Sequence, residues 1–247
     1  MSDFYQQILL NSGYLPGRAL VQARGSIGGH RYVFVKLQMS GKDALVFPTS
    51  GGIVKNPFKG NAFAGTLAEY IPSNGSNGSE IRILKSYAVA KTSESSDTVI
   101  YLKRGGYSLI PFVGDVLMVA PTTLVGKGTA VTVTAVEKTT DGTAGDVWKV
   151  TLSATLGALT TSSVLVEAKE AGSGKEAMVT NPNSYLPCDF DFVFDPAASE
   201  DDFDGARYLI TPALALGDVF LYEDRMQPLS AALKALNKSK VKGWFNI

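Results

Sequence analysis

Residues 97–168, DTVIYLKRGGYSLIPFVGDVLMVAPTTLVGKGTAVTVTAVEKTTDGTAGDVWKVTLSATLGALTTSSVLVEA, carry the pattern from which the architecture is read. They divide into short runs of strand character: Thr98–Lys103, Val116–Ala120, Thr129–Val136, Trp148–Ala154 and Val164–Ala168. Between them lie Arg104-Gly105-Gly106, Phe112-Val113-Gly114-Asp115, Asp141-Gly142 and Thr155-Leu156-Gly157-Ala158, all suited to tight turns. Short strands at this spacing, punctuated by glycine turns, predict a small antiparallel β-barrel or sandwich. Val131, Val133 and Ala135 alternate with Thr132 and Thr134. Trp148, Val150, Leu152 and Ala154 alternate with Lys149, Thr151 and Ser153, so each run has one apolar face. Val116–Ala120 is apolar on both faces, which places it centrally or under another segment.

Outward from this block the chain stays β-rich. Ala19–Ala23, Arg31–Met39, Ala44–Phe47, Thr66–Ile71 and Ile81–Ala90 read as strands, the last with Ile81, Ile83, Tyr87 and Val89 on one face. Residues 48–65 are rich in Gly and Pro and read as a loop passage. Residues 73–79, Ser-Asn-Gly-Ser-Asn-Gly-Ser, read as a hairpin tip or linker. A short helix is expected within residues 1–10. Beyond Gly172-Ser173-Gly174, strands are expected at Asp189–Asp195, Tyr208–Ile210 and Val219–Tyr222, the first as an edge strand with outward charge. Leu229, Ala232, Leu233 and Leu236 at helical spacing, with Pro228 at the first position, predict a helix over 228–238. The organisation is thus an N-terminal β/loop segment (1–72), a central β domain (80–171) and a C-terminal β segment with one helix (172–247).

Composition narrows the function. No apolar run is long enough to span a membrane, and the N-terminal residues lack the basic and apolar stretches of a signal peptide. The Asn-x-Ser sequences at Asn74, Asn77 and Asn237 therefore need no glycan reading. With Cys188 the only cysteine and His30 the only histidine, an internal disulfide, a Cys-rich zinc site and a His-pair metal site are excluded. Lys and Arg balance Asp and Glu, which offers no general attraction to nucleic acid. The charges are nonetheless unevenly placed. Residues 1–72 hold seven basic against three acidic side chains, whereas residues 189–224 hold ten acidic against Arg207 alone. Opposite poles suit packing against copies of the chain or a charged scaffold, and equally a simple clustering of surface charge.

Candidate chemistry is sparse. Gly172-Ser173-Gly174-Lys175 lacks the first glycine and the Ser/Thr of a phosphate loop and reads as a flexible turn. Glu200, Asp202, Asp204 and Gly205 match the opening of a calcium loop, but Thr211 stands where a bidentate Glu belongs, so a solvated acidic loop is favoured. His30 has no nucleophile elbow to serve. The Asp189–Asp204 acids could pair for glycoside hydrolysis, yet acids in such a loop are ordinarily just solvated. Tyr70, Tyr101, Tyr107, Trp148, Tyr185 and Tyr208 could line a sugar-binding face, with core packing as the default. No catalytic residue and no cofactor is assigned. Gly114-Asp115 and Gly217-Asp218, each before an apolar pair, read as structural lead-ins to strands. The apolar Val241, Trp244, Phe245 and Ile247 are too hydrophobic for a free tail and are expected at an interface, on the body of the fold or on a neighbouring subunit.

Val113–Met118, Gly128–Val136, Val150–Leu159 and Val164–Ala168, together with Ala64–Tyr70 and the Gly243-Trp244-Phe245 ending, resemble the β-domain of head-fibre or capsid-decoration proteins of tailed bacteriophages. The resemblance covers residues 64–190 and the tail. It implies a non-enzymatic virion protein on the capsid surface, contacting the major capsid protein or another head protein. It further implies a homo-oligomer, a trimer foremost, with no nucleic-acid or membrane partner and with host cytoplasm as its location before assembly. A carbohydrate-binding or adhesin-like β module is the alternative.

Overall fold

The computed structural model describes residues 20–23, 31–34, 52–56, 60–63, 65–72, 80–105, 107–186, 190–192, 209–210, 220–223, 226–240 and 243–245. In chain order the strands are β1 (Leu20–Ala23), β2 (Arg31–Phe34), β3 (Gly52–Val54), β4 (Gly60–Ala62), β5 (Leu67–Ile71), β6 (Glu80–Ile83) and β7 (Ser86–Ala88). Then come β8 (Val99–Lys103), β9 (Val116–Val119), β10 (Lys127–Asp141), β11 (Gly145–Leu152), β12 (Val164–Glu167) and β13 (Gly172–Glu176). The last are β14 (Ser184–Tyr185), β15 (Phe190–Phe192), β16 (Leu209–Ile210), β17 (Phe220–Tyr222), helix α1 (Ala231–Lys240) and β18 (Gly243–Phe245).

The chain is mainly β, as the alternation predicts. A seven-stranded antiparallel sheet runs β7-β12-β9-β10-β11-β8, with β13 added along β10. It curls without closing into a barrel. Its end strands approach only at the Val89–Leu102 bridge, where the Ala90 N–H donates to the Tyr101 carbonyl at 2.7 Å. A five-stranded sheet, β14-β5-β6-β3-β16, packs with it. There β3 and β6 are parallel, as are β17 and β18 in a separate two-stranded pair, whereas the seven-stranded sheet is antiparallel as expected.

One core joins the two sheets. Ala68, Tyr70, Ile81, Ile83, Tyr87, Ile100, Leu117, Val131, Val150, Leu165 and Leu186 belong to it, so side chains from all three stretches of the chain share one apolar interior. Strand β9 is covered on both faces at its centre, because Leu117 enters this core while Met118 packs with Val166 and Ala177 on the other side, and Val119 at its end is exposed. A third cluster seats α1: Leu229 and Leu233 lie against Leu84, Val179, Tyr185 and Leu221. The helix begins later than predicted. Ser230 is its cap, with its hydroxyl oxygen accepting from the Leu233 N–H, and Pro228 precedes it.

Several expectations shift for local reasons. Ala135 points outward, because the β10–β11 register slips between Val133 and Ala135 and hands the inward place to Val136. The run Ile81–Ala90 is not one strand but two. It leaves the five-stranded sheet after Ile83 and joins the seven-stranded sheet at Ser86. Residues 48–65 contain β3 and β4, and the Gly-Ser-Gly-Lys stretch is β13, recruited by the β10 edge. Within the expected edge strand Asp189–Asp195, Phe190–Phe192 pairs with β4 as a two-stranded ribbon. The predicted N-terminal helix, Ala44–Phe47, residues 73–79 and Gly217-Asp218 lie outside the described residues.

The β10–β11 hairpin shows how short-range chemistry fixes a register. Asp141 pairs with Gly145, and the Asp141 carboxylate accepts from the Thr143 and Ala144 amides at 2.9 and 3.0 Å. Gly145 supplies a φ of 72° that a side chain would resist. Gly145→Ala is therefore expected to lower the unfolding free energy by about 1 kcal/mol in urea titration. Those two amides, with Lys91 at 3.0 Å, hold the Asp141 carboxyl down to about 2. A carboxylate depressed in the folded state contributes stability above its ordinary value and loses it as pH falls toward 2. The protection factors of the Thr143 and Ala144 amides, taken against their intrinsic rates at each pH, should fall through that window, and in Asp141→Ala they should be low at neutral pH as well.

Candidate functional site

The alternation that builds the core also delivers charge into it. Ile81, Ile83, Tyr87 and Val89 are buried along one parity of β6–β7, and Lys85 occupies the same parity at the crossing between the two sheets. Asp115 shares parity with buried Leu117 on β9, and Glu167 shares it with buried Leu165 on β12. Pairing then closes the arrangement. Glu167 stands opposite Leu117 in the β12–β9 ladder, and the Glu167 N–H donates to the Lys85 carbonyl at 3.1 Å.

The Lys85 ammonium lies between two carboxylates, 3.1 Å from Asp115 Oδ1 and 3.0 Å from Glu167 Oε1, with side-chain exposures of 2%, 7% and 9% respectively. Asp115 Oδ2 accepts from the Phe112 N–H at 2.9 Å and the Tyr87 hydroxyl at 3.4 Å. The turn before it holds this geometry: Gly114 takes a φ of 99°, and its N–H donates to the Val133 carbonyl. The structural role read for Gly114-Asp115 is thus found, with a buried charge added. Glu167 Oε2 accepts from Asn56 Nδ2 at 2.6 Å. Asn56 also bonds both the N–H and the carbonyl of Ile83, so its amide extends the β3–β6 pairing like a further peptide unit.

Among the described residues two anions and one cation meet here, and their protonation follows. Burial is the largest influence on Lys85 and pulls its ammonium down, but Glu167 and Asp115 together outweigh it and the net shift is upward. Burial pushes the Glu167 carboxyl up, Asp115 adds to that, and Lys85 and Asn56 offset only part of it. Tyr87 is driven well above its ordinary value, by burial first and then by the two carboxylates. The cluster therefore keeps a charged lysine and holds the Glu167 carboxyl above its usual range. A buried amine beside acids can act chemically only with groups already inside, because the surrounding strands close it from solvent.

Glu200, Asp202, Asp204, His30, Cys188, Tyr208, Val241 and Ile247 fall outside the described residues. The backbone of Trp244 and Phe245 runs parallel to Leu221 and Tyr222 in the β17–β18 pair, so this part of the tail docks within the chain. Among the aromatic residues, Tyr185 and Tyr70 are buried in the core, and Tyr101 and Trp148 are half-buried beneath cations. Lys91 Nζ stands 5.3 Å from the Tyr101 ring and the Arg104 guanidinium 5.8 Å from the Trp148 ring. Among the described residues, no cluster of three His, Cys, Asp or Glu is placed to hold a metal, and no helix is long and apolar enough to cross a membrane. A small cavity between α1 and β12, lined by Leu84, Val166, Val179 and Leu233, has room for about one water.

Sequence reading passed over Lys85 and Glu167, although a signal was present. Lysine on the Ile81–Val89 parity, and glutamate closing Val164-Leu165-Val166, are charges written into apolar faces. Comparison with protein-family models, with curated proteins and with solved structures finds no match.

Removing the cation should expose the cost of the arrangement. Lys85→Met leaves two carboxylates buried without their counter-ion and is expected to lower the unfolding free energy by about 3–5 kcal/mol in urea titration. Adding Asp115→Asn and Glu167→Gln to that variant should recover a large part of the loss, because the uncompensated charges are then gone.

Proposed function

We propose that this chain is a non-enzymatic structural protein of a tailed-phage or prophage virion, displayed on the capsid as a head fibre or decoration protein. The observation that carries the reading is the Lys85–Asp115–Glu167 network. Its polar groups bond one another and also engage Asn56, Tyr87 and the Phe112 amide, and so brace both sheets across their core. A β body braced in this way suits a part that must keep its shape on an assembled particle. The Thr-faced strands and the resemblance of Val113–Met118, Gly128–Val136 and Val150–Leu159 to head-fibre and decoration β-domains support the same reading.

The major capsid protein, or another head protein, is the partner in this proposal. The basic residues of 1–72 face the capsid, and the chain assembles with itself as a trimer. Val241, Trp244, Phe245 and Ile247 form the contact between copies, with the tail backbone steadied beside β17. Light scattering after size exclusion should give a trimer for the full chain and a smaller species for a chain ending at Asn237. The full chain should co-sediment with capsids of the phage or prophage that encodes it. A monomer that stays in the supernatant with those capsids would rule the proposal out, and glycan-array binding lost in Tyr101→Ala would put the carbohydrate-binding reading in its place.

A further inference from the structure

We propose that Lys85 and Asp115 condense inside the folded protein to form an intramolecular isopeptide bond, with Glu167 transferring the protons. Three features of the cluster carry this. An amine and a carboxyl are held at 3.1 Å with 2% and 7% side-chain exposure, a second carboxyl touches the same amine at 3.0 Å, and donors already meet the oxygen on which charge must develop.

The reaction needs nothing from outside. A proton passes from the Lys85 ammonium to the Asp115 carboxylate, which leaves an amine beside a carboxylic acid. The two carboxylates raise the Lys85 ammonium, so this transfer is the uphill step, and the fixed contact at 3.1 Å is what lets it occur. The Nζ lone pair then forms a bond to Asp115 Cγ. The negative charge that develops on Oδ2 is met by the Phe112 N–H at 2.9 Å and the Tyr87 hydroxyl at 3.4 Å, an arrangement that favours the tetrahedral intermediate. Glu167 takes the proton released by nitrogen and returns it to Oδ1, which leaves as water. One ammonium and one carboxylate thus become one amide and one water, with no oxidant, reductant or activating group, and Glu167 ends as it began.

The assignment of roles follows from the contacts. Asp115 is the acceptor because two donors polarise the oxygen turned away from Lys85, and the Phe112–Asp115 turn fixes its carboxyl. Glu167 is the shuttle because Asn56 at 2.6 Å anchors its far oxygen while the near one stays on the amine. Burial, which lifts its carboxyl, strengthens it as the acceptor of the proton that nitrogen releases. Fixing the partners in this way converts a bimolecular condensation into a unimolecular one, the condition under which an unactivated carboxyl reacts with an amine. Exclusion of water hinders the return. The bond would tie the β6–β7 crossing to the start of β9 across a separation of 30 residues.

Intact-mass spectrometry of the full chain, held at neutral pH after purification, tests this. The expected mass is below that of the sequence by one water. Protease digestion should yield a branched peptide joining Lys85 to Asp115, with trypsin failing to cut after Lys85. Glu167→Gln and Asp115→Ala should return to their full sequence masses, and the wild-type result decides alone if either variant does not fold. A wild-type chain at its full sequence mass overturns the proposal. So does a water loss that maps to an aspartimide at Asp141-Gly142 or Asp204-Gly205, or a Lys85–Glu167 linkage.

Discussion

The placement of one ammonium group between two carboxylates inside an apolar core is the constraint on which the rest of this structure depends. Lys85 at the β6–β7 crossing, Asp115 in the turn into β9 and Glu167 at the end of β12 meet in only one register, and each occupies a position that alternation assigns to the interior. Withdrawing a charge from water costs several kcal/mol even after relaxation, so an arrangement that left any of the three unpartnered would be strongly disfavoured. The same cost excludes the neighbouring registers. A slip of one residue in β12 would carry Glu167 to the opposite face and leave Lys85 with half its counter-charge. The triad adds less to net stability than an apolar core of equal volume could, but it selects which strands pair and where.

The brace works because its periphery is also satisfied. Asn56 follows β3 of the five-stranded sheet and Glu167 ends β12 of the seven-stranded one, and the 2.6 Å bond between them crosses the boundary that the chain itself crosses at Lys85. Asn56 simultaneously extends the backbone pairing of β6, so the amide is held on three sides. Tyr87 and the Phe112 amide do the same for Asp115. A polar network in a core rigidifies only when each member is partnered, since one orphaned group would cost as much as a good bond gains.

Much of this architecture was legible in the sequence, and the reasons are particular. Val131, Val133, Val150 and Leu152 lie inside because strict alternation on a pleated backbone leaves them no other place. Asp141-Gly142 announced a hairpin because an aspartate side chain can bond the amides two and three residues on, as it does. What escaped was set by partners distant in sequence. The outward turn of Ala135 comes from a register slip against β11. The strand at Gly172–Glu176 exists because β10 offers it an edge, and its own glycines argue for a turn. The parallel pairs β3–β6 and β17–β18 join segments with no local signal for each other. The triad was half-visible: each charge broke an apolar parity, but only the fold shows that the three breaks coincide.

That coincidence also separates two uses of buried charge that a sequence cannot tell apart. An amine kept for reaction with an outside substrate needs a path to solvent and a proton that leaves easily, which requires a depressed ammonium. Here the two carboxylates drive the Lys85 ammonium upward, and the strands leave it 2% exposed. Any chemistry at Lys85 is therefore directed inward, at carboxyls the fold itself supplies. A protein that seats a deeply buried amine against two carboxyls in this manner is using them to hold strands together. The demand this meets is persistence of shape, and the same demand explains why the network sits where the two sheets exchange the chain rather than at an open end of either.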